Sequence, residues 1–201
     1  MAIVRLSVLC VASLIIVSTA IAAACGGSSS KDEAIQIQID REPITALAGA
    51  AEGDAQDMEA HAATMASLAA SRPDHAHWAS EAELIKANAT SLRFLADSAR
   101  AIARDPGSHP GGAVQPERIL GDGLNLQRLG ETLIAHADAM QSHLETMRDQ
   151  AAGDSTLLSA IDAAQPDMQA MKQDGQAAID RSRELADTAR RIAAATGQKI
   201  E

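Results

Sequence analysis

Aromatic residues are nearly missing from this chain: there is no Tyr, and Phe94 and Trp78 stand alone. An all-β domain relies on aromatic and β-branched runs to cover its sheets, so that class is excluded. Cysteine occurs only as Cys10 and Cys25, which leaves the rest of the chain without a disulfide or a thiolate metal ligand. Basic residues are in deficit, 17 against 27 acidic ones, for a formal charge of −10. That balance argues against nucleic acid or an anionic lipid surface as partner and mildly favours cations. Catalytic signatures are lacking as well. There is no nucleophile elbow, no recognisable triad order, and Gly121-x-Gly123 has no strand context for a nucleotide site. The sequence reads as a binder rather than an enzyme.

What is present begins with an export signal. Arg5 is the one charge among the first residues, an uncharged apolar run covers Leu6 to Ala24, and small residues gather at its end. That order is the plan of a secretory signal, although the run is near the lower length limit of an anchor helix. It closes on Ile21-Ala22-Ala23-Ala24-Cys25, followed by Gly26-Gly27-Ser28-Ser29-Ser30. The segment resembles the lipobox of bacterial lipoproteins, with Ala22 in place of the commoner Leu. The resemblance implies a cleaved signal peptide over 1–24, a lipid on the Cys25 sulfur, and a flexible tether over 25–42. Gly26 after the cysteine implies a cell-envelope location at the outer membrane, facing the periplasm, if the envelope is Gram-negative. Processing removes Cys10, uses up Cys25 and takes away one basic residue, Arg5, moving the formal charge from −10 to −11.

Apolar residues recur at helical spacing over 43–201 and predict an all-α domain. Ile35-Gln36-Ile37-Gln38-Ile39, which alternates, reads as an extended leader. A first helix is expected from about Pro43 to Ala70, with seam Ile44, Leu47, Ala51, Asp54, Met58, His61, Met65 and Leu68. Arg72-Pro73-Asp74 breaks it. A second runs from about His77 to Arg104, started by Asp74 or by the capping box Ser80-x-x-Glu83. Its seam is Trp78, Glu81, Ile85, Asn88, Leu92, Leu95, Ala99 and Ile102. After a long loop, a third spans about Pro116 to Ala151 through Ile119, Leu126, Leu129, Leu133, His136, Met140, His143 and Met147. The fourth is capped by Asp154 or Ser155 and reaches about Ala195 through Leu157, Ile161, Ala164, Met168, Met171, Ala178, Leu185, Ala189 and Ile192. Pro166 is expected to kink or restart it. Steps of three and four, with short turns inside each pair, predict an antiparallel up-down-up-down four-helix bundle.

Every methionine after the initiator falls on these seams: Met58, Met65, Met140, Met147, Met168 and Met171. So do three of the six histidines, His61, His136 and His143. His-x-x-x-Met occurs three times, and residues four apart share a helix face. With turns centred near Asp74 and Gly153, residue n of the first helix lies level with about n+79 of the third. His61 is then level with Met140, and the nine soft and nitrogen ligands share one half of the bundle. Leu92, Leu95, Leu126, Leu129 and Leu185 close the other half. The cluster covers about twelve residues, roughly 18 Å at a rise of 1.5 Å, too far for one ion to bridge. An inner tier takes Met58, His61, His136, Met140, Met168 and Met171, and an outer tier takes Met65, His143 and Met147. His75 and His77 extend the outer tier toward solvent, while His109 lies in the opposite loop. Asp54, Glu81 and Asn88 are candidates for orienting the imidazoles.

Thioether sulfur is soft and suits Cu(I), and imidazole suits both copper oxidation states. Zinc draws Cys, His and carboxylate instead, and a ferritin-like di-iron site needs Glu-x-x-His, which does not occur. The pattern points to copper, as Cu(I) and in more than one ion, held for storage, buffering or transfer by a lipid-anchored protein. Haem b is the alternative, because the chain resembles the four-helix b-type cytochromes in architecture and in its Met and His ligands. Two aromatic residues are scant lining for that ring, however. A third alternative is a structural or interaction lipoprotein whose methionines only fill the core.

Overall fold

The computed structural model describes residues 41–72, 78–105, 115–151 and 153–200. Cys25 and its lipobox, the Ile35–Ile39 leader, Asp74, His75, His77 and His109 lie outside the described residues. Four helices form within them: α1 Glu42–Ser71, α2 Trp78–Arg104, α3 Pro116–Gln150 and α4 Ser155–Thr196. Pro43 and Pro116 stand in the first turns of α1 and α3, where no backbone N–H is needed for the helix. Asp154 caps α4, its Oδ1 accepting from the N–H of Thr156 at 3.0 Å and of Leu157 at 3.2 Å. At the other end Gly197 turns left-handed, with φ 70°, and the Gln198 N–H donates back to the Ala193 carbonyl at 3.0 Å. Helix α4 runs unbroken through Pro166, so of the kink or restart expected there the restart does not occur.

The helices form an antiparallel four-helix bundle made of two closely packed hairpins, α1–α2 and α3–α4. Contacts of α1 with α4 and of α2 with α3 close the ring. Buried positions of α3 step by four and three without a break: Ile119, Gly123, Leu126, Gly130, Leu133, Ala137, Met140, Leu144 and Met147. Helix α1 does the same through Ile44, Ala48, Ala51, Ala55, Met58, Ala62, Met65 and Ala69. This is the seam of shallowly crossing helices.

Two expected seams are corrected here. In α1, Asp54, His61 and Leu68 lie at the edge of the core, and in α3, Leu129 and His143 do so while His136 is exposed. Their expected places are taken by Ala55, Ala62 and Ala69, and by Gly130, Ala137 and Leu144. Small residues carry little hydrophobic signal, yet they let backbones approach. A Cβ on Gly130 would stand 2.4 Å from the Gly175 carbonyl oxygen, and one on Gly175 would stand 2.8 Å from the Gly130 carbonyl oxygen. The α3–α4 crossing is a backbone contact.

Candidate metal centre

All six seam methionines are buried: Met58 and Met65 on α1, Met140 and Met147 on α3, Met168 and Met171 on α4. They occupy the second halves of α1 and α3 and the first half of α4, which is the end where both hairpins turn. Trp78, fully buried at the start of α2, closes the same end. Leu92, Leu95, Leu126 and Leu185 fill the other half. The thioethers are therefore segregated, from three helices, within one half of the core.

The imidazoles are not inside it. His61 is half-buried at the α1–α4 edge, where its Nδ1 lies 2.5 Å from Oδ2 of the buried Asp167. His143 sits at the α2–α3 edge, with Nε2 against Oε2 of the buried Glu81. That second pair is a close contact without hydrogen-bond alignment, since both atoms lack a properly directed partner. His136 points to solvent, so it leaves the inner tier. Each edge between the two hairpins thus carries one histidine–carboxylate pair. Of the residues expected to orient imidazoles, Glu81 meets His143, Asn88 is buried on α2, and Asp54 faces a different group.

That group is Asp174 of α4. The Asp54 and Asp174 carboxyls lie within hydrogen-bonding reach across the α1–α4 edge. Burial, with the Asp54 charge beside it, pushes Asp174 up from 3.8 to about 7. Burial also raises Asp54, an effect opposed by the Asp174 contact and reinforced by Asp57. Asp167 is raised by burial as well, against the opposing pull of His61. The sequence reading missed Asp167 and Asp174. Their signal is a spacing of seven, shared with Asp54 and His61, which repeats one carboxylate-bearing rung a heptad apart along both helices.

Among the described residues, no three His, Cys, Asp or Glu side chains converge as a metal site. The donor set on offer is one of thioethers, with imidazoles at the margin. His61, bonded through Nδ1, keeps Nε2 as a donor, the arrangement in which a carboxylate orients a ligating histidine. No helix among the described residues is long and apolar enough to cross a membrane. Comparison of the chain with protein-family models, with curated proteins and with solved structures finds no match.

Proposed function

We propose that this bundle binds Cu(I) through its buried methionines, as a storage, buffering or transfer protein held at the cell envelope by a lipid on Cys25. One observation carries the reading: six thioethers from three helices are gathered in one half of the core, while the other half is aliphatic. Soft sulfur suits Cu(I), and no cysteine follows Cys25 to compete for it. His61 and His143 stand at the two edges of that half, His61 bonded to Asp167 and His143 placed against Glu81 of the facing helix. They are suited to passing an ion inward rather than to forming the inner shell. The acidic surface favours cations over anions at the point of entry.

A second reading draws on the same pairs. His61 already has a hydrogen-bonded carboxylate partner, so it needs no metal to satisfy its Nδ1, and methionine can serve as adaptable core filler. The lipoprotein is then an interaction scaffold. Haem b gains little support, because Phe94 is exposed and Trp78 is the one aromatic ring buried in the core.

The purified protein is titrated anaerobically with Cu(I) against a mild competitor, and separately with haemin. More than one copper retained per chain is expected, falling in a Met58→Leu/Met168→Leu variant and unchanged in His136→Ala. No retained copper, with helical circular dichroism intact, overturns the proposal in favour of the scaffold. A Soret band with haemin moves the assignment to haem.

A further inference from the structure

The edge between α1 and α4 joins the two hairpins, and it is built from groups that titrate. On α1, Asp54 faces Asp174 of α4, Asp57 lies beside Asp54, and His61 meets Asp167 one heptad along. Among the described residues no ion pair offsets the Asp54–Asp174 pair. The nearby basic groups are engaged elsewhere: Lys172 with Asp138 of α3, Arg181 with Glu184, and Arg93 and Arg100 with Glu59 and Glu52 on the α2 side of α1. On the α3 side of Asp174, the chain presents Gly130 and Ile134 to the adjoining Gly175.

Asp174 is 6% exposed, and its Oδ2 is buried with no hydrogen-bond donor in reach. Two ionised carboxylates have no hydrogen to share, so their contact becomes a bond only when one of them holds a proton. With both charged and Asp174 buried, repulsion and desolvation act together against the contact.

We infer that Asp54 and Asp174 form a proton-held latch between the hairpins, and that releasing the proton loosens α1 from α4 and opens a path to the methionine half of the core. The latch does not depend on what that core binds. Burial pushes the pKa of Asp174 up to about 7, which puts release within reach of ordinary changes in the surroundings. The hairpins themselves, closed by Gly130 against Gly175 and by Arg93 with Glu59, carry no such pair among the described residues and stay shut.

The test is peroxide oxidation of the metal-free full-length chain, read by mass spectrometry at Met58, Met168 and Met171. Thioether oxidation involves no group of its own that titrates in this range. Opening should grow by up to about tenfold per pH unit while one proton is being released. Oxidation of the three methionines is therefore expected to rise between about pH 4.5 and about pH 7 in the natural chain and level off above that, and to stay flat in Asp174→Asn. A flat profile in the natural chain, or an equal rise in Asp174→Asn, overturns the latch. Should Asp174→Asn fail to fold, Asp54→Asn is read in its place, and hydrogen exchange of the natural chain, corrected for intrinsic rates, must show protection falling along α1 and α4.

Discussion

Replacing Gly130 by Ala puts one methyl group where α3 and α4 touch through their backbones. Mid-helix, that exchange normally stabilises by about 1 kcal/mol, because Gly carries the larger entropy loss. Here the new Cβ would lie 2.4 Å from the Gly175 carbonyl oxygen, 2.9 Å from Ile179 Cγ1 and 3.2 Å from Ala178 Cβ. A backbone carbonyl cannot rotate away, so the helices must part. Overpacking of this kind costs about 1–3 kcal/mol, and with contact to backbone the upper end applies. The net expectation is a loss of about 2 kcal/mol, or a Tm lower by about 4–8 °C for a chain of this size. Gly121 is the internal control: it lies in the same helix, is exposed, and has nothing within 4 Å of its Cβ position. Gly121→Ala should raise Tm by about 2–4 °C. Thermal unfolding followed by circular dichroism measures both. A Gly130→Ala variant as stable as Gly121→Ala would refute the backbone contact and the close α3–α4 approach built on it.

The carboxyl latch carries a sign that equilibrium unfolding can read. Asp174 titrates near 7 in the folded chain against 3.8 ordinarily, so the folded form holds a proton that the unfolded chain gives up. Stability is fully present below about pH 4 and falls as pH rises toward 7, with a ceiling of about 4 kcal/mol at 1.36 kcal/mol per unit. Urea titrations should show that slope in the natural chain and a weaker one in Asp174→Asn. Met171→Leu should cost less than about 1.5 kcal/mol in urea, since volume is conserved, whereas Met171→Ala should cost about 2–5 kcal/mol. Pairing the Leu variant with copper counting separates ligand from filler. His61→Ala strips the buried Asp167 of its bond and should cost about 1–3 kcal/mol. His136→Ala, on an exposed face, should stay within about 0.5 kcal/mol.

The number of helices, their boundaries to within a residue or two, and the burial of all six methionines were legible from periodicity alone. What periodicity misread was which neighbour of each large residue completes the seam. On α1 the choice lay between Ala55 and Asp54, and between Ala62 and His61. On α3 it lay between Ala137 and His136. In each case the small residue is inside and the chemically conspicuous one is at the rim or in solvent. A spacing of three and a spacing of four both keep a residue near one face, so the helical pattern admits either. Only the closeness of the neighbouring backbone, visible at Gly130 and Gly175, decides for the smaller side chain. The carboxylate partners were harder still, because Asp167 and Asp174 are near His61 and Asp54 only through a contact between helices far apart in the chain.

The uninterrupted stepping of α3 from Ile119 to Met147 also constrains how this protein can change length. Deleting one residue between Leu133 and Met140 would rotate everything beyond it by about 100°, the angle between successive helical residues. Gln141 and Arg148 would then stand where Met140 and Met147 now point, and the α3 share of the thioether half would become polar at a stroke. A gain or loss of seven residues restores the phase, provided that α4 changes with it. Insertions and deletions in descendants of this chain should therefore fall in the turns or arrive as whole heptads in paired helices.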